Sequence, residues 1–178
     1  MKRFLLQMAG ASGGGKSTLA RAIGRATGAV VLDKDVIKAP LLDGGRFPGA
    51  LPLPEEVAAP HSYAVFFALS ESLLGMGWSV VMDSPASFTA IREMGARMAA
   101  AAGADYYIVE CCTPDIEELQ RRLDNRVRVS SQPTIARLDG FVRPGTSTLL
   151  EPHLSIDTRQ PIEASLRKAL EYIGHDTG

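Results

Sequence analysis

Cysteine is almost missing from this sequence. Its two cysteines, Cys111 and Cys112, are adjacent, and neighbouring thiols cannot easily bridge each other. That excludes a disulfide framework and leaves buried, inert thiols as the expectation. Histidine is scarce too, with three scattered residues, so no metal-ligand spacing emerges from histidine and cysteine together. No stretch approaches 18 uninterrupted apolar residues, and the apolar opening before residue 10 is too brief for a signal peptide. A cytoplasmic location is therefore expected. An excess of either charge is also lacking. Nineteen basic residues stand against twenty acidic ones for a net charge of −1, which removes any bulk attraction to nucleic acid or to a membrane surface.

What remains is ordinary for a folded domain: 46% hydrophobic and 22% charged residues. A chain of 178 residues is long enough to bury a substantial core, and one domain spanning 1–178 is the simplest organisation. The informative stretch comes early. Gly10-Ala11-Ser12-Gly13-Gly14-Gly15-Lys16-Ser17 fits G-x-x-x-x-G-K-[ST] without a mismatch. Glycines let backbone N–H groups turn inward as an anion-binding nest. Lys16 brings a charge that can reach the β- and γ-phosphates, and the Ser17 hydroxyl can ligate Mg²⁺. Thr18 continues the loop into a helix whose positive end faces the same phosphates. An apolar run, Phe4 to Ala9, precedes the loop, and Leu19, Ala22, Ile23 and Ala26 follow at helical spacing before Gly28. Residues 10–18 are thus expected to bind ATP with Mg²⁺.

Further strands are expected at residues 29–32, 78–82, 106–109 and 154–157, alternating with helical segments. One helix should bury Phe66, Leu69, Leu73 and Met76. Another should begin at Ser87, and a third should open at Thr113-Pro114-Asp115 and bury Ile116, Leu119 and Leu123. Residues 43–60, with four prolines and three glycines, read as an irregular loop. Residues 124–148 are polar and arginine-rich and read as a lid. The pattern implies an α/β fold of the P-loop NTPase type, a five-stranded parallel sheet with helices on both faces. Ligands in such sheets collect at the carboxyl ends of the strands, where Asp33, Asp35 and Asp83 are placed.

There is no Asn-Lys-x-Asp stretch of the sort that reads guanine in GTPases. The sequence instead resembles the P-loop kinases related to zeta-toxin, chloramphenicol phosphotransferase and the kinase domain of polynucleotide kinase. GASGGGKSTLAR resembles the group's phosphate loop, LDKDVIK its acceptor motif, VVMDS its Walker-B-like strand, ECCTPDIEELQRRLDNR its fourth strand and lid approach, and LLEPHLSIDT its last strand. The resemblance implies Asp35 and Lys38 as the acceptor-site pair. Residues 43–60 depart from the group, so the acceptor itself does not follow.

Phosphoryl transfer needs a base or orienting group beside the acceptor hydroxyl. Asp35 suits that role and equally suits a helix cap. Asp33 is its rival, or a partner behind it, and Lys38 and His61 are candidates to hold the acceptor, with a plain surface role open to each. Asp83 is expected to join Ser17 at the metal, with a helix cap as its alternative. Arg122 and Arg126, spaced i and i+4, are expected to meet charge on the transferred group, and Arg128 to close over the nucleotide. The function read from these residues is an ATP-dependent kinase acting on a hydroxyl of an antibiotic, sugar, nucleoside or nucleotide sugar. The alternatives are a nucleotide-dependent regulatory module and a polynucleotide-type end kinase, the latter disfavoured by the net charge.

Overall fold

The computed structural model describes residues 2–45, 47–86, 89–127, 129–135, 149 and 151–175. Five strands alternate with six helices among them. They run in the order β1 (Phe4–Ala9), α1 (Lys16–Thr27), β2 (Val30–Asp33), α2 (Lys34–Asp43), α3 (Glu55–Gly75), β3 (Val80–Asp83), α4 (Thr89–Ala101), β4 (Asp105–Cys112), α5 (Ile116–Asp124), β5 (Leu154–Asp157) and α6 (Ile162–Tyr172). The strands form one parallel sheet in the order β2-β3-β1-β4-β5. This is the expected P-loop α/β architecture. Because β1 lies between β3 and β4, the chain leaves the central strand to both sides, and that reversal opens a crevice at its carboxyl end.

Strand β1 is buried at all six positions, as a central strand covered on both faces must be. Phe4, Leu6 and Met8 face α1 and α6 through Leu19, Ile23, Ala169 and Leu170. Leu5 turns to the opposite face with Phe66, Leu74, Val80 and Met98. Ala9 packs there with Leu119 and Leu123 of α5. Gln7 is the polar exception. Its carbonyl accepts the Tyr106 hydroxyl, and its amide reaches the Ile91 carbonyl.

Several helices depart from the expected pattern. In α3 the buried stripe is Ala58, Ser62, Phe66, Ser70 and Leu74, while Leu69 and Met76 are 43% and 66% exposed. The serines can be buried because their hydroxyls donate to Ala59 O and Phe66 O within the same helix. Hydrophobic spacing is blind to that satisfaction. Helix α3 also begins at Glu55, inside the segment expected to be irregular, with Pro54 at its cap and two glutamates in its first turn. Pro60 removes only one intrahelical bond there. Ala26 of α1 is exposed, and Gly24 takes its place against the sheet, where an added Cβ would lie 2.4 Å from Val31 Cγ2. In α5 the cap is Asp115, whose carboxylate accepts from Glu117 N and Glu118 N. Pro114 therefore precedes the helix, and Ile116 is exposed. The expected cap Ser87, together with Arg128 and residues 136–148 of the lid, lies outside the described residues.

Candidate active site

The phosphate loop leaves the carboxyl end of β1 and turns straight into α1. Gly10, Gly13 and Gly15 hold φ angles of 117°, 81° and 90°, a region that L side chains rarely adopt. Space enforces the same choice: a Cβ on Gly10 would stand 2.2 Å from the Cys111 carbonyl oxygen. Gly15 caps α1 with no side chain of its own, so the first-turn N–H groups remain available to an anion. Gly10→Ala is expected to cost about 3 kcal/mol or more in stability and to abolish nucleotide binding. Thermal melts beside nucleotide titration check this.

Around that loop lies a cavity of about 580 Å³. Its lining joins Ser12, Gly13, Gly15, Lys16, Ser17 and Thr18 to Asp33, Asp35 and Asp83 from the ends of β2 and β3 and the start of α2. Arg122 and Arg126 line it from the α5 side. Lys16 Nζ donates to Gly10 O and Ala11 O, each at 2.8 Å. Burial draws this ammonium below its ordinary value, and the carboxylates of Asp83 and Asp35 oppose the shift.

Asp83 is 5% exposed. Burial lifts its carboxyl to about 6, against the hydrogen bond from Ser17, and the nearby charge of Asp33 raises it further. Its Oδ2 is buried without a hydrogen-bond partner among the described residues. A buried, unsatisfied carboxylate oxygen beside a serine hydroxyl is a hard-oxygen donor set that suits Mg²⁺.

The aspartate that ends β2 and the one that follows in α2 are held differently. Asp33 is the N-cap of α2: its Oδ1 accepts Asp35 N at 2.9 Å, and its Oδ2 lies 3.3 Å from Arg21 Nη2. That leaves the Asp35 carboxylate uninvolved in the cap, with Oδ1 3.0 Å from Lys34 Nζ. Lys34 is buried, lies over the Tyr63 ring and lines the cavity. Lys38 and His61 are not in that lining. Lys38 pairs with Glu55 of α3, and His61 bonds through Nδ1 to Val57 O on its own helix.

The arginines also differ from the expected pair on one helix. Helix α5 ends at Asp124 with Asn125 at its cap, so Arg126 stands beyond it and donates from Nη2 to Pro133 O at 3.0 Å. Arg122 is committed to protein: Nε donates to Glu118, Nη1 to Thr113 and Thr158, and Nη2 to Thr158 O. Residues that sequence reasoning passed over also face the cavity, among them Arg21, Lys34, Ser131, Gln132 and Thr158. Arg21 was within reach of spacing, one helical turn beyond Ser17. Thr158, just past β5, was within reach of the rule that ligands gather at strand carboxyl ends.

The family described as AAA domain matches residues 5–143 of this sequence. The chain belongs to this family. No curated protein matches its sequence. Among solved structures, the APS kinase CysC of Mycobacterium tuberculosis, in complex with AMPPNP and APS, is similar with a TM-score of 0.67 at 20% identity. The alignment covers 97% of this chain and 98% of that one. A sugar kinase from Janibacter sp. gives a TM-score of 0.64 at 20% identity, covering 98% and 95%. A gluconokinase from Sinorhizobium meliloti gives 0.58 at 22% identity, covering 97% and 94%. At these identities the likeness is one of fold, and the AAA-domain chain shares the P-loop fold of these kinases. Its described helices include none long and apolar enough to cross a membrane.

Proposed function

We propose that this AAA-domain protein is an ATP-dependent kinase that transfers the γ-phosphoryl group to a hydroxyl of a small molecule, with residues 1–178 acting as one domain. The observation that carries this reading is the shared cavity, in which a phosphate loop on one wall faces an uncapped carboxylate, Asp35, on another. The kinase folds it resembles support the reaction type. A cytoplasmic setting, where ATP and Mg²⁺ are supplied, fits the same reading.

In this mechanism residues 10–18 hold the phosphates, and Lys16 leaves the Gly10 and Ala11 carbonyls to reach the β- and γ-oxygens. Ser17 and Asp83 would hold Mg²⁺, which when bound offsets negative charge on the phosphate oxygens. Asp35 orients the acceptor hydroxyl and takes its proton. The acceptor oxygen bonds to the γ-phosphorus as the bond to the β,γ-bridging oxygen breaks, and ADP leaves with that electron pair. Lys34, held against Asp35, fixes the direction of the carboxylate. Because Lys38 and His61 do not line the cavity, the acceptor contacts are assigned to Lys34, Ser131 and Gln132, which do.

Purified protein screened for ADP release over hydroxyl-bearing sugars, nucleosides, nucleotide sugars and antibiotics tests this reading. Acceptor-dependent turnover with a phosphorylated product supports it. Slow hydrolysis indifferent to every acceptor would point instead to a nucleotide-dependent regulatory module. Once an acceptor is known, Arg126→Ala should lower kcat by about 10³-fold or more with little change in ATP affinity, since an arginine acting on the transferred group is felt mainly in the transition state. Steady-state kinetics with a parallel ATP titration separate the two.

A further inference from the structure

We infer that Thr158 is the positioning residue that aims the phosphate loop, an inference that rests on the nucleotide site proposed above. Its hydroxyl has one proton and two acceptor sites, and the structure uses all three. Thr158 Oγ1 donates to Gly14 O at 2.8 Å and accepts from Arg122 Nη1 at 3.1 Å. The Thr113 hydroxyl, 2.8 Å away, supplies the remaining hydrogen bond, and a longer contact of 3.4 Å runs to Cys112 O. The residue itself is anchored, because Thr158 N donates to Cys112 O at 3.0 Å where β5 leaves the sheet.

The consequence follows from the planarity of one peptide. The Gly14 carbonyl and the Gly15 N–H belong to the same trans peptide unit and point in opposite directions. Gly14 and Gly15 flank this unit, and two glycines place little steric restraint on its rotation. By holding the carboxyl side of the unit outward, the Thr158 hydroxyl aims the Gly15 N–H into the cradle that receives the β-phosphate. Thr158 also packs on Gly15, where an added Cβ would lie 3.3 Å from Thr158 Cβ. Arg122 completes the brace. It joins the hydroxyl to Glu118 on α5 through Nε and to Thr158 O through Nη2, so α5 and the phosphate loop are held by one hub.

The test is calorimetric binding of MgADP and of AMP, which lacks the β-phosphate, with thermal melts of each variant. Thr158→Val keeps the shape and the contact with Gly15 but frees the Gly14 carbonyl. It should weaken MgADP binding by about 10- to 100-fold and AMP binding by less than about threefold, the cost of one unmet buried hydrogen bond felt at one phosphate. Thr158→Ser keeps the hydroxyl and should bind MgADP within about threefold of wild type. Wild-type affinity in the valine variant, no rescue by serine, or an equal loss for AMP and MgADP would each overturn the inference. If valine prevents folding, Thr158→Ala frees the same carbonyl with less steric demand and is read by the same criteria. A wild-type protein without affinity for MgADP would instead overturn the nucleotide site, and this inference with it.

Discussion

Replacing Asp35 by asparagine is expected to slow phosphoryl transfer by roughly 10²- to 10⁴-fold, the range for loss of a positioned general base. MgATP affinity should barely change, because the proposed phosphate contacts belong to residues 10–18 and Asp35 belongs to the first turn of α2. The substitution preserves size and one carbonyl oxygen for Lys34 while removing the proton acceptor. Stability is a clean control here. Had Asp35 been the cap of α2, asparagine would replace it without effect on either rate or fold. The cap is Asp33, whose Oδ1 takes the Asp35 N–H, so any large loss in the Asp35 variant belongs to the chemistry. Asp33→Asn should still cap the helix and should cost far less in rate. Single-turnover transfer to an identified acceptor, with ATP binding measured beside it, decides the matter. Near wild-type transfer in Asp35→Asn would remove the base from the mechanism.

Asp83→Asn is expected to pull stability and function in opposite directions. Burial sets the Asp83 carboxyl at about 6, above its ordinary 3.8, so folding favours its protonated form. The stability tied to that proton is fully present below the ordinary value and is lost as pH rises through about 6. At pH 8 the folded protein therefore carries a buried carboxylate that costs up to about 3 kcal/mol. Asparagine removes that charge, and the melting temperature at pH 8 should rise, with the advantage shrinking as pH falls toward 4. MgATP binding should move the other way. The wild type should lose affinity as pH drops below about 6 and the metal-directed carboxylate is protonated. The variant should bind weakly throughout, without that pH dependence. Melting curves and calorimetry across pH 4–8 read both effects, and a variant that is less stable at pH 8 would refute the desolvation argument.

The phosphate loop was legible in the sequence alone. The spacing of Gly10, Gly15, Lys16 and Ser17 is a local requirement, since glycine geometry and a helix start leave few other sequences able to wrap an anion. Strand positions were legible for a similar reason. Short apolar runs such as Val80 to Met82, closed by Asp83, suit a parallel sheet covered on both faces. Helix faces were less legible where polar groups found partners inside their own helix, as Ser62 and Ser70 do.

Local pattern determined that this chain forms an α/β P-loop fold with acidic residues at its strand ends, because those features depend on neighbours a few positions away. The tertiary structure alone decided the roles that depend on distant partners. It gave the α2 cap to Asp33 rather than Asp35, turned Lys38 toward Glu55, and bound Arg122 into a brace. The hydroxyl of Thr158 reaches the carbonyl of Gly14 across 144 positions of sequence. That meeting exists only because β4 pairs with both β1 and β5, and packing of strands, unlike periodicity, is settled by the whole chain at once.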